Sequence, residues 1–499
     1  MQLLDLKIEN YKNLKDFQWE ITEEFATPAL LLMGKNASGK TNVLEALILI
    51  FDFLIHSKKK KAPFQFSITY KIEVVTIKIE CEKGEMLQGI LIDNSFVSVS
   101  EIRRVNKTWT VPYSYTDLDN ILPENIILYY SGFSQRFWNI SNKFKQEYSR
   151  IFRKQKAVAL PPIIMLEPIH YQMILLALFS YTKDTSEDKH PVYDTFLMNY
   201  FDIESLHSFE IHIKKHTGWI RDHSYNEYFN TSGIVRNFIE QIDLANRDEN
   251  VENSVEFIRS PKYPDRINRV IYKFNGNSSL QKIKETFGYE DDIFKLLNIL
   301  YTTKNLVKID VKVKKKGIQN PIHFDLLSEG EQQFLAIKGM IFLLQGKNTL
   351  FLWDEPDTFL NPAWQWDLIP NLENNNDYVE EGYVESGYIG NIQRDQFILT
   401  THSPVLLSTV KHQAYYIDKG EISPVRNTYG LTVDESLEKQ NINTRIKSID
   451  DDLKEYFELI EVGRSSSEEA LKIRTILEKK LGETHEELQR ADVLISFYE

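Results

Sequence analysis

The sequence predicts an α/β protein: a mixed sheet with an antiparallel β part, interrupted by a helical insertion and followed by a helical C-terminal region. Three observations carry this expectation. Strand-like stretches open the chain and return after residue 300. The stretch between them is long, charge-rich and helical in pattern, with little strand signal. After Tyr429 the chain is polar and helical to its end. At about 150 residues per domain, the 499 residues suggest about three folding units. The expected divisions are 1–155, 156–300, 301–430 and 431–499.

In chain order, Leu4, Leu6 and Ile8 alternate with polar residues and Ala29–Met33 is a short apolar run, so both read as strands. A glycine-bearing loop follows, then apolar residues at helical spacing over Asn42–Leu54. Lys58–Lys61 is an all-basic turn, and Phe66–Glu80 alternates as antiparallel strands do. Leu160–Leu300 reads as helix, Leu306–Val313 as strand, and Glu373–Glu385 as an acidic loop.

Hydrophobic residues make up 42% of the chain and aromatics 12%, enough to build cores and to exclude wholesale disorder. The formal net charge of −13 excludes a globally basic nucleic-acid coat, while leaving room for a local basic groove. Cys81 is the single cysteine, so no intramolecular disulfide or cysteine-based zinc cluster can form, which fits a reducing compartment. Met1–Lys7 lacks the pattern of a secretory signal. The apolar window Ala159–Phe179 carries Glu167, His170 and three prolines. No membrane span is expected, and the cytoplasm is the expected location.

Gly34-Lys35-Asn36-Ala37-Ser38-Gly39-Lys40-Thr41, continuing into Asn42, matches G-x-x-x-x-G-K-[ST] between an apolar strand and an amphipathic helix. The glycines let backbone N–H groups close round phosphate oxygens, and the helix that follows adds its positive end. Lys40 would then reach the β- and γ-phosphates of ATP, and the Thr41 hydroxyl would hold Mg²⁺. A second motif, Thr349–Pro356, is an apolar run ending in Asp354-Glu355. A buried parallel strand delivers its last side chains to the ligand-binding edge of an open sheet. Asp354 is placed there to hold Mg²⁺, and Glu355 to deprotonate an attacking water. Ser328-Glu329-Gly330-Glu331 opens an apolar helix. The Ser328–Glu331 spacing makes a capping box, which by itself explains both residues. The same helix start, with a hydroxyl and the close backbone of Gly330, can receive a γ-phosphate.

In this order and spacing the motifs resemble those of the ABC-type ATPases, in the degenerate form of their RecF and SMC relatives. Ser328-Glu329-Gly330-Glu331 looks like the family's signature, Leu360-Asn361-Pro362 like its D-loop, and Phe397–Ser403 like its switch-histidine strand. Leu6–Lys12 resembles the first strand and turn of these enzymes. The resemblance covers about residues 1–55 and 320–410, less than half the chain. It implies an ABC-type ATPase head, with His402 contacting the γ-phosphate and Glu355 in catalysis. It also implies pairing with a second copy, because one subunit's signature closes another's phosphate site. Gln135, in Tyr129–Arg136, matches the place of the family's Mg²⁺-sensing glutamine, although an ordinary polar loop explains it somewhat better.

Sustained heptads are absent from Leu160–Leu300, so no long coiled-coil arm is expected. Leu160–Pro168 resembles the entry to the insertion of prokaryotic defence ATPases, including the Septu ATPase subunit; OLD, Gabija and PARIS ATPases are related groups. Asp450-Asp451-Asp452 fits Asp-x-Asp but opens a helical stretch, so no nuclease activity of the chain itself is expected. Ala470, Ile473, Leu477, Leu481, Leu488, Ala491 and Ile495 form an apolar stripe for self-packing or for docking a partner. Lys58–Lys61 and Lys312 with Lys314–Lys316 read first as solvated basic runs and, as the alternative, as candidate DNA or RNA contacts. The leading expectation is the ATPase of an anti-phage system, paired with itself and governing a separate HNH-type nuclease. The alternatives are a RecF-like repair ATPase and an ATP-dependent binder that sequesters a toxin.

Overall fold

The computed structural model describes residues 1–21, 28–56, 60–105, 108–132, 137–152, 160–181, 191–214, 231, 233–247, 255–259, 261–262, 267–287, 292–344, 347–373, 395–411, 413–439 and 447–498. The chain divides into two compact units, Met1–Tyr429 and Gly430–Glu499.

The first unit is built round a mixed sheet of seven strands in the order Ile163–Met165, Asn125–Tyr130, Thr349–Asp354, Gln396–Thr400, Ala29–Met33, Ala414–Asp418, Glu421–Val425. Neighbours run parallel except for the last pair. Ala29–Met33, Thr349–Asp354 and Gln396–Thr400 are buried at every position, which is why they read as continuous apolar runs. Their registers hold: Phe351 stacks on Phe397 at 4.6 Å between ring centroids. The helix Lys40–His56 follows Ala29–Met33 and buries most of its side chains.

A second, antiparallel sheet of six strands begins with Leu14–Glu20 and Gln2–Tyr11 and continues through Phe66–Ile72 and Val75–Cys81. Its alternating burial is the period-two pattern of a sheet covered on one face.

The region 156–300 differs from the helical insertion expected of it. It contains the helices Pro168–Tyr181, Gly233–Arg247 and Asp292–Thr302, but also the strands Ile203–Lys214, Val255–Arg259 and Ile267–Asn275. These join Leu306–Lys315 and Ile322–His323 in a five-stranded antiparallel sheet that runs past residue 300. The alternation was obscured by irregularity. Pairing of Ile203–Lys214 with Leu306–Lys315 shifts register three times, and each shift breaks the period of two.

In Gly430–Glu499 the helices Lys447–Glu461, Glu468–Leu481 and Glu486–Tyr498 share their own core of Leu453, Tyr456, Ile460, Ala470, Leu477, Leu488 and Ala491. The apolar stripe of the tail packs on itself here. Asp450 and Asp452 form ion pairs with Lys454 and Lys480 at 2.8 and 2.7 Å. Among the described residues no helix is long and apolar enough to cross a membrane.

Candidate nucleotide site

The phosphate loop leaves the buried strand at Met33 and turns immediately. Gly34 has φ +152°, and a Cβ there would lie 2.3 Å from the Ile417 carbonyl oxygen on the adjacent strand. Only glycine permits both the turn and that approach. Ser38 N–H donates to Lys35 O at 3.1 Å and Ala37 takes φ 64°, so the loop curls round its own concave side. Lys40 folds back across it, donating to Gly34 O at 2.8 Å and lying 3.4 Å from Lys35 O. Lys12, Asn13, Asn36, Ala37, Ser38, Gly39, Lys40, Thr41, Asn42, Glu355 and His402 line a cleft of about 440 Å³.

The acidic strand reaches the same edge. Asp354 lies in register with Thr400, whose hydroxyl donates to its Oδ1 at 2.7 Å. The Thr41 hydroxyl donates to the same carboxylate at 2.9 and 3.1 Å. Burial raises the Asp354 pKa, and these two hydroxyls oppose the shift. Glu355 follows with φ 51°, an unfavourable region for a residue with a side chain. It is held there by its N–H, which donates to Thr400 O and Oγ1, both at 3.1 Å. The strained turn aims the Glu355 carboxylate into the cleft rather than along the strand.

His402 Nε2 lies 2.8 Å from Lys40 Nζ and 3.4 Å from Glu355 Oε1. Burial and the nearby Lys40 charge lower its pKa, so the neutral ring accepts from the ammonium. Burial likewise brings Lys40 down to about 8, against the attraction of Glu355 and Asp354.

Asn13 and Asp357, not singled out from the sequence, and Lys12, from the Leu6–Lys12 stretch that was, support the cleft. In the turn after the opening strand, Asn13 donates to Ala37 O and Ser38 O at 3.2 and 2.9 Å and accepts from Asn42. Lys12 pairs with Glu45 of the loop's helix at 2.6 Å. Asp357, buried beneath the site, accepts from Thr401 at 2.8 Å, and burial raises its pKa to about 6. The sequence signal was the turn Tyr11-Lys12-Asn13, whose partners lie more than twenty residues away and are invisible to local pattern.

The serine-glycine segment stands apart from this cleft: Ser328, Gly330 and Glu331 are not among its lining residues. The capping box forms. Ser328 N–H and Oγ–H donate to Glu331 Oε2 at 2.8 and 2.9 Å, and Glu331 N–H donates to Ser328 Oγ at 3.2 Å. A Cβ on Gly330 would lie 2.6 Å from Phe359 O, so this glycine seats the helix against the turn after Glu355. Gln135, Lys58 and Lys59 lie outside the described residues. Lys60 is committed to the buried carboxylate of Asp52 at 2.6 Å and Lys315 to Glu331 at 2.7 Å, whereas Lys314 and Lys316 are exposed. The basic candidates are therefore partly neutralised within the chain.

The donor set suits a nucleotide triphosphate with a divalent cation. Ser38 Oγ is buried in the loop without a hydrogen-bond partner, as a phosphate-facing hydroxyl would be. Thr41 and Asp354 offer hard oxygen ligands at one point.

Residues 1–407 match the AAA ATPase domain family. The Retron Vc95 probable ATPase of Vibrio cholerae serotype O1 biovar El Tor is 22% identical over 470 residues, covering 88% of this chain and 78% of that protein. Among solved structures, the Smc head domain with an extended coiled coil bound to the C-terminal domain of ScpA, from Pyrococcus furiosus, aligns with a TM-score of 0.34 and 11% identity. That alignment covers 88% of this chain and 98% of the other.

Proposed function

The chain belongs to the AAA ATPase domain family, and from that premise we propose that it binds and hydrolyses ATP between two copies of itself, using the cycle to govern a separate effector. The carrying observation is a division of labour. Lys40, Thr41, Glu355 and His402 line one cleft, with Asp354 hydrogen-bonded to Thr41 behind it, while Ser328, Gly330 and Glu331 are not part of its lining. One chain thus supplies a phosphate grip and a base, and a second copy's Ser328 helix N-terminus would supply the missing wall.

In this reading the loop N–H groups and Lys40 bind the triphosphate, displacing Lys40 from Gly34 O. Thr41 and Asp354 would hold Mg²⁺, which when bound neutralises phosphate charge. Glu355, fixed by its strained turn, orients a water and takes its proton. His402 reports on the γ-phosphate, since its Nε2 faces both Lys40 and Glu355. ATP closes the pair, and hydrolysis opens it.

Similarity to a protein named as the probable ATPase of a retron supports an ATPase that serves a larger system. We assign the effector to a nuclease encoded apart from this chain, of the HNH type that accompanies the Septu ATPase subunit, and the setting to anti-phage defence. Glu355→Gln tests the core of the reading. It preserves shape and removes the base, so the variant should bind ATP and accumulate as a dimer by mass measurement, with turnover reduced at least about a hundredfold. A monomer at saturating ATP would refute head pairing.

A further inference from the structure

The strand Leu306–Lys315 belongs to the insertion sheet, where Lys315 pairs in register with Ile203. The chain then returns through Ile322–His323 and the short turn Phe324–Leu326 directly into Ser328. Lys315 thus ends on the flank of the serine-glycine helix. Its Nζ lies 2.7 Å from Glu331 Oε1, with the two side chains 15% and 18% exposed. The other oxygen of that carboxylate, Oε2, accepts from Ser328 N–H and Oγ–H.

This arrangement poses an electrostatic problem. The Ser328 hydroxyl is the donor that a second copy's triphosphate would use, and it points at a carboxylate. The Glu331 charge stands within hydrogen-bond reach of the position the phosphate would take. Like charges so placed repel strongly in a partly desolvated interface. We infer that Lys315 is a positioning residue for phosphate capture in trans: it neutralises Glu331 and draws that carboxylate toward the insertion sheet, so the Ser328 hydroxyl can turn to the partner's nucleotide. The inference rests on the pairing reading and deepens it, because it links the insertion sheet to ATP-dependent closure through one ion pair. Burial works to raise the Glu331 pKa, but the hydrogen bonds from Lys315 and Ser328 outweigh it and keep the carboxyl below its ordinary range. Glu331 is therefore a full charge at neutral pH, needing compensation whenever phosphate approaches.

The test uses the full chain carrying Glu355→Gln as parent, with dimer fraction measured by mass against ATP concentration. Adding Lys315→Met should raise the ATP concentration for half-maximal pairing about tenfold or more. Lys315→Arg should pair as the parent does. The decisive variant combines Lys315→Met with Glu331→Gln, which removes both charges while retaining a capping acceptor, and it should recover pairing. A lysine that only packs or only braces the fold would not be rescued this way. Melting curves of each variant separate misfolding from weak pairing. Parent-like pairing by Lys315→Met, or failure of the double variant to recover although folded, would overturn the inference and leave the pairing reading standing. A parent that does not pair would remove both.

Discussion

Lys40 is a cation held among backbone carbonyls and beside a histidine, in a cleft where burial disfavours its charge. Its pKa of about 8 has a directional consequence for ligand binding. A bound triphosphate favours the ammonium, so Lys40 titrates higher with ATP than without. Below about pH 8 both states are protonated and Lys40 adds no pH dependence. Above it the free protein loses the proton and binding must take one up. ATP affinity measured by calorimetry in Mg²⁺ should be level up to about pH 8, then weaken about tenfold per pH unit. A flat profile to pH 9.5 would mean that Lys40 does not hold the phosphates. Glu355 shows the other residue-scale device. Its identity was evident from the acidic strand end, but its φ of 51° was not, because only pairing with Thr400 imposes that turn.

At the scale of elements, the helix Glu329–Leu344 is defined by what holds its first turn. The capping box follows from the spacing of Ser328 and Glu331, whereas the seat against Phe359 depends on long-range packing. Phe334 stacks on Trp364 at 4.9 Å, and Gln333 Oε1 accepts from Phe359 N–H at 3.2 Å. The helix start and the turn after Glu355 are therefore packed directly against each other. Gly330→Ala would push a methyl group against the Phe359 carbonyl, at a cost of about 1–3 kcal/mol. Its melting temperature should fall by a few degrees, and ATP-dependent pairing should weaken with it. An unchanged melting curve would show that the contact relaxes freely. The strands within 156–300 escape a helical expectation for a related reason. Helical patterns such as Gly233–Arg247 are legible because one helix carries its own period, whereas Ile203–Lys214 depends on bulged pairing with a strand about a hundred residues away.

Across the whole molecule, the two compact units have separate cores, one spanning residues up to Ile417 and one confined to Leu453–Ala491. A unit as small as Gly430–Glu499 is marginal on apolar burial alone, at about 3–5 kcal/mol. It is reinforced by Arg474, which donates to Asp492 and Glu478 at 2.7 Å each. Expressed alone, Gly430–Glu499 should be helical by circular dichroism and melt cooperatively, and Met1–Tyr429 should retain ATP binding. Non-cooperative melting of the excised piece would mean that the division into units is geometric only.

The phosphate loop, the acidic strand end and the histidine of the cleft, and the capped serine-glycine helix that stands off it, are all contiguous motifs legible in the sequence, because each is built within one short stretch of chain. Tertiary structure alone decided which of them meet. Lys40 and His402 are 362 residues apart, and Thr41 and Asp354 are 313 apart. They converge because Gln396–Thr400 lies between the phosphate-loop strand and the acidic strand. Lys315, read from sequence as one of a solvated basic run, became the partner of Glu331 for the same reason. A charge takes its role from the neighbour that the fold delivers, and strand order is set by burial of the whole sheet rather than by any local pattern.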